Sequence, residues 1–323
     1  MNEFIPPILL RNPHLQSLLS SAKIRRPMLQ RKAKEMLSNS ICYILDCGKG
    51  VRLQGYYSGH KNQTHCDLAI LIHGWEGSAD SLYILSAADY LYRRRFDIFR
   101  LNLRDHGTSH HLNPELFHSC RIDEVVGAVR QIQEMFPRNR IFLGGFSLGG
   151  NFALRVALRA KEAGIYLTKT AAVCPVLNPA GTLNALETGC FLYRRYFLKK
   201  WRRSLRIKRL YFPDLPGLDD LSRFGTLTEM TDFFVRGHTG FADMKQYLNG
   251  YSITGNVLAK IAVPAHIIAS ADDPVIPADD LNRLALNPYL SVEILKYGGH
   301  CGFIENYRFR SWADRRMADF FKS

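Results

Sequence analysis

The chain has 323 residues, 46% of them hydrophobic, and 43 Lys and Arg against 29 Asp and Glu, a formal net charge of +14. That length and apolar content suffice to bury a large core, in one large domain or two, and no apolar run approaches the roughly 18 residues that a membrane-spanning helix needs. The basic balance alone would suit nucleic acid, but no zinc-finger, RRM, KH or helix-turn-helix signature accompanies it, so no nucleic-acid partner is expected.

Residues 1–40 read as a basic, irregular extension that packs on the core. Its first ten residues are broken by Pro6 and Pro7 and lack the basic opening and small-residue cleavage site of a signal peptide, so the segment reads as retained. Seven cysteines, an odd set without paired metal spacing, suit a reducing cytoplasm, and Cys174 in its apolar run reads as a small core residue. From Ile41 to Tyr57 the pattern alternates about Gly48-Lys49-Gly50 as a hairpin does. Strands are then expected at Leu68 to His73, Asp97 to Leu103, Arg140 to Phe146, Lys169 to Pro175, Ala265 to Ser270 and Val292 to Tyr297, with helical patterns between most of them. Such alternation predicts an α/β protein with a mostly parallel central sheet flanked by helices. Ile122, Val125, Val129, Ile132 and Phe136 mark the packing face of one helix, and Phe309, Ala313, Met317 and Phe320 that of the last. Residues 41–176 and 256–323 form the expected core, and residues 177–255 an inserted helical cap.

One run carries most of the chemistry. Gly145-Phe146-Ser147-Leu148-Gly149-Gly150 follows an apolar strand and opens a helical pattern, the arrangement of a nucleophile elbow. The glycines are required because the turn holds its serine in a strained backbone conformation where neighbouring side chains would collide. A serine hydroxyl is a weak nucleophile, so a base and an orienting carboxylate must follow. The strand from Ala265 ends in Asp272-Asp273-Pro274, and the strand from Val292 ends in Gly298-Gly299-His300. His300 is the expected general base. Successive side chains leaving a strand point to opposite sides, so only one aspartate can face it. Asp273, directly before Pro274, is the expected acid, with Asp272 a turn-former bonded to local amides; Asp272 as the acid stays open. Leu68 to His73 delivers a His-Gly turn, whose following amide, Trp75, together with the amide of Leu148 after the nucleophile, forms the expected oxyanion hole.

Asp105, His106, His110, His111 and His118 form the densest histidine cluster. A serine triad needs no metal, so neither a metal nor a cofactor is expected there; Asp105 and His106 are expected to contact substrate, and His73 either to contact substrate or to fix its loop through hydrogen bonds. Between residues 191 and 210 nine Lys and Arg interleave with large apolar residues and no acid. Such a helix can dock on anionic lipid, or simply cover the cleft with a solvated basic face.

Asn12-Pro13-His14-Leu15-Gln16, Leu71 to Ser78, Gly145 to Asn151, Asp272-Asp273-Pro274 and Gly298 to Phe303 together resemble the YheT-type branch of the alpha/beta-hydrolases, across nearly the whole chain. The resemblance implies a cytosolic serine hydrolase with carboxylesterase activity, Ser147, Asp273 and His300 as its triad, and relatives that act on acylglycerols and phospholipids. The loop from Leu101 to His111 departs from the Arg-Gly-Cys type of loop expected there and leaves the substrate open. The expected function is hydrolysis of a small-molecule or lipid ester, from short- and medium-chain acyl esters to acylglycerol-type lipids. An acyltransferase using the same triad, or a non-catalytic scaffold with a basic surface, are the alternatives.

Overall fold

A computed structural model describes residues 4–60, 66–137 and 139–323. Residues 1–3 of the expected N-terminal extension lie outside the described residues. Eight strands form one sheet: β1 (Ser40–Asp46), β2 (Arg52–Ser58), β3 (Asp67–Ile72), β4 (Phe96–Leu101), β5 (Ile141–Phe146), β6 (Leu167–Val173), β7 (Ala265–Ser270) and β8 (Leu290–Leu295). Their spatial order is β1-β2-β4-β3-β5-β6-β7-β8. β2 runs antiparallel to both neighbours and every other pairing is parallel. The expected hairpin and all six later strands are present, each within two residues of the expected start.

The sheet divides the core by the period of two that strands impose. Along β3, Leu68, Ile70 and Ile72 face one layer and Ala69 and Leu71 the other. The first layer holds α5 (Ile122–Met135) and α6 (Leu148–Arg159); the second holds α4 (Leu82–Tyr92) and α11 (Trp312–Lys322). Phe136 falls just past α5, as its cap. Phe309 does not join the last helix: it sits in a turn at φ 54°, and α11 begins only after Ser311, whose hydroxyl accepts from the Asp314 amide.

The N-terminal segment is helical rather than irregular. It folds as α1 (Pro13–Ser21), α2 (Arg26–Lys32) and α3 (Lys34–Ser38). Asn12 caps α1 through its side-chain oxygen and Pro13 takes the first helical position, a strong local start signal. The helix escapes apolar periodicity because it buries Gln16, Ser17 and Ser20 and exposes Leu18. Gln16 is satisfied from the far end of the chain, donating to Leu10 and Ile304 carbonyls and accepting from the Ile304 amide.

Between β6 and β7 the chain inserts α7 (Pro179–Thr188), α8 (Phe191–Tyr211), α9 (Leu227–His238) and α10 (Met244–Asn249). α8 packs Leu198, Trp201, Leu205 and Lys208 inward. No helix among the described residues is long and apolar enough to cross a membrane.

Candidate active site

The geometry begins at the β5–α6 turn. Ser147 sits at φ 54°, ψ −120° as the cap of α6, a conformation that non-glycine residues adopt at a cost of order 1–3 kcal/mol. The flanking glycines permit it. A Cβ on Gly145 would lie 2.1 Å from the Gly149 carbonyl oxygen, and one on Gly149 would lie 2.2 Å from the Ile72 oxygen. The turn is locked because the Ser147 amide donates to Val173 at the end of β6.

Asp273 and His300 arrive from the ends of β7 and β8. His300 Nδ1 lies 2.9 Å from Asp273 Oδ2, and His300 Nε2 lies 2.9 Å from Ser147 Oγ. The carboxylate fixes the tautomer: Nδ1–H donates to it, leaving Nε2 to accept from the hydroxyl. Asp273 is itself held, its Oδ1 accepting from the Val275 and Ile276 amides. Burial by itself would lower the His300 imidazole, but the Asp273 carboxylate overrides it and the net shift is well above the ordinary histidine value.

Of the two adjacent aspartates, the one beside His300 is Asp273. Asp272 is not the locally bonded turn-former that was expected. Its Oδ1 reaches across to accept from the Gly299 amide, 2.9 Å away, as well as from Ser270 Oγ, so it tethers the histidine loop to the end of β7. The local amides bind Asp273 instead, because its second oxygen turns back over its own loop.

The Trp75 and Leu148 amides flank the serine, and among the described residues neither has a hydrogen-bond acceptor. Leu148 opens α6, where the unsatisfied amides of a helix start carry partial positive charge. Ser147, His300, Trp75 and Leu148 all line one cavity of about 730 Å³. The insertion contributes the largest share of its walls, with Leu183, Leu186, Phe197, Trp201, Leu227 and Phe234 among them. Trp75 stacks on Phe197 at 5.3 Å and meets Trp201 edge-on at 5.2 Å, which ties the oxyanion loop to α8.

Asp105 and His106, expected to contact substrate, and His73, open to that role or to a bracing one, do not line this cavity; their polar atoms are consumed by the fold. His73 donates through Nδ1 to the Gly74 carbonyl and accepts at Nε2 from the Leu103 amide. His106 donates through Nδ1 to the Arg104 carbonyl and accepts at Nε2 from the Glu76 amide. Burial lowers both rings, His73 to about 4, and keeps them neutral. Asp105 accepts from the Phe117 amide through one oxygen and pairs with Lys208 at 2.6 Å through the other. Lys208 is therefore no surface charge: fully buried, it pins the C-terminal half of α8 to the loop after β4. The remaining histidines disperse. His110 bonds Ser204, while His118 lines the cavity.

Two residues at the site were not anticipated. Ser17 on α1 accepts from the His300 amide at 2.8 Å, and its hydroxyl donates to the Pro13 carbonyl. Lys200 on α8 lines the cavity and donates to the Glu76 carbonyl, so the oxyanion loop is held from the insertion as well as by His106. Burial raises the Glu76 carboxyl to about 8. The segment Asn12 to Gln16 had stood out in the sequence, but nothing local in it announces a contact with residue 300.

Comparison with known proteins agrees with this geometry at the level of the fold. Residues 69–307 match the family described as alpha/beta hydrolase fold, and the chain belongs to that family. Among individual relatives it is 27% identical to the YheT protein of Escherichia coli (strain K12), an alignment covering 98% of this chain and 92% of that one. It is also 20% identical to the monoacylglycerol lipase of Saccharomyces cerevisiae, over 84% of this chain and 63% of the lipase. The Pyrococcus furiosus esterase PF2001 shares the fold at a TM-score of 0.60 and 17% identity, covering 90% of this chain and 92% of the esterase.

Proposed function

We propose that the chain is a serine hydrolase of carboxylic esters, with Ser147 as nucleophile, His300 as general base and acid, and Asp273 as the orienting carboxylate. The observation that carries this reading is the unbroken hydrogen-bond path from Ser147 Oγ through His300 to Asp273, at 2.9 Å in each step. Ser147 Oγ attacks the ester carbonyl carbon and its proton passes to His300 Nε2. The resulting oxyanion is received by the Trp75 and Leu148 amides, donors worth a few kcal/mol each in such transition states. Collapse breaks the ester C–O bond, and the alcohol leaves with the proton held by His300. Water then gives a proton to His300 and attacks the acyl-enzyme, and the second collapse returns that proton to Ser147 and frees the acid.

The apolar walls of the cavity favour an ester with a hydrocarbon acyl chain, in keeping with the lipase among the relatives. Labelling with a fluorophosphonate, read by intact mass, tests the reading without assuming a substrate. Wild type is expected to gain one adduct and Ser147→Ala none, with turnover of a water-soluble short-chain ester falling at least about 10⁴-fold in that variant. A folded wild type that stays unlabelled while hydrolysing no ester would sink it.

A further inference from the structure

The mouth of the cavity has an unusual rim. Leu18 on α1 and Leu192 and Tyr196 on α8 line the cavity yet remain exposed, and the chain neighbours of other lining residues, Ile24 and Phe191, are exposed too. These five side chains are between 47% and 78% exposed although they come from segments about 170 residues apart. The two segments are joined at the mouth, where His14 Nδ1 meets the Tyr193 hydroxyl at 3.0 Å. An apolar ring of this kind around a cavity entrance is not explained by packing within the chain.

Beside the ring runs a stripe of cations. Arg195, Lys199, Arg202 and Arg206 recur at intervals of four, three and four along α8, so they share one side of the helix. Among the described residues none of the four has a carboxylate within ion-pair distance, although Arg209 and Arg194 on the same helix do. They line a groove of about 450 Å³ that Gly225 helps to close and that contains no acid. Within the cavity lining itself the cations Lys23, Arg26 and Lys200 face a single acid, Glu76.

We propose that this face docks on an anionic lipid bilayer, with Leu18, Ile24, Phe191, Leu192 and Tyr196 entering the interface and the α8 cations meeting headgroup phosphates. The geometry suits a bilayer better than a soluble polyanion because the apolar ring and the cationic stripe are contiguous, and only a lipid surface offers both chemistries side by side. Docking in this orientation opens the cavity towards the membrane. It goes beyond the reaction, since it requires neither Ser147 nor His300.

Sedimentation with vesicles of phosphatidylglycerol and phosphatidylcholine, against vesicles of phosphatidylcholine alone, tests it on the full chain. Wild type and Ser147→Ala are expected to bind the anionic vesicles equally and the neutral ones weakly, with release at high salt. Each cation at a lipid surface contributes about fivefold in partition, so Arg195→Glu with Lys199→Glu should lower binding at least about 25-fold. Ile24→Asp with Phe191→Asp, neither of which lines the cavity, should lower it comparably while turnover of a water-soluble ester stays at the wild-type level. Equal binding to both vesicle types, or anionic binding unmoved by the charge pair, overturns the proposal. So does binding that responds to the charge pair but ignores the apolar pair, which would mark a soluble-polyanion surface. Loss of ester turnover with vesicle binding intact would instead refute the catalytic reading and leave this one standing.

Discussion

His300 after β8, and His73 and His106 after β3 and β4, occupy strand-end loops and are put to opposite uses. The His73 and His106 rings are buried, the His300 side chain is 14% exposed, and all three have both nitrogens bonded. The partners differ. His73 and His106 are held between main-chain groups, one carbonyl and one amide each, so each is fixed in one neutral tautomer with no route for a proton to leave. His300 lies between a carboxylate and a hydroxyl, which can accept and surrender a proton. Burial pushes all three towards the neutral form, and only at His300 does a carboxylate reverse the direction. A buried histidine is thus a base or a brace according to what its two nitrogens touch, and residue type and loop position do not distinguish the cases.

The sharpest way to break the comparison is to remove the carboxylate. Asp273→Asn should lower kcat about 10³- to 10⁴-fold through loss of the tautomer, whereas Asp272→Asn, which keeps an acceptor for the Gly299 amide, should stay within about threefold. The pH profile carries a sign. Neutral imidazole is the working form, so a folded-state value raised above the ordinary histidine range means that activity climbs with pH through that higher value and is lost as pH falls through it. Asp273→Asn removes the strongest influence opposing burial and leaves only that of Cys301, so the acid limb of its residual activity should move to lower pH. An unmoved limb would show that the carboxylate does not set the base.

A smaller effect is expected on the bracing side. His106→Ala orphans the Glu76 amide, which should reduce stability in denaturant by about 1–3 kcal/mol and kcat about tenfold as the Trp75 amide loses its support. The acid limb should not shift, and a shift would mean that His106 does share in proton transfer. Smallest is Ser17→Ala, which leaves the His300 amide without its acceptor. About 1 kcal/mol of positioning corresponds to about fivefold in kcat, with KM unchanged and Ser17→Thr restoring the rate. A change confined to thermal stability would reduce Ser17 to a packing role.

The parts of the site legible in the sequence are those whose physics is local. An elbow must have small residues at Gly145 and Gly149 because main-chain atoms pass within 2.2 Å of any added Cβ, and that demand is written within five residues. Strands alternate because each side chain faces one of two layers, so the sheet and the order of serine, acid and histidine follow from periodicity and turn signals. The expected N-terminal irregularity failed for the opposite reason. α1 buries Gln16 and Ser17, whose polar atoms are satisfied by Ile304 and His300 from the other end of the chain, so no apolar period betrays it. Lys208, one of nine cations in a row of apparent surface charges, becomes an interior partner only because the loop after β4 brings Asp105 to it. The amino-acid order by itself determined the fold family, the serine turn and the strand ends that carry its partners. Asp273 as the acid is already favoured by its place before Pro274. Tertiary structure alone decided that Asp272 tethers the histidine loop, that Asp105 and His106 are held by the fold, and which segments frame the cavity mouth, because each of those depends on hydrogen bonds or packing between residues that only folding brings within a few ångströms.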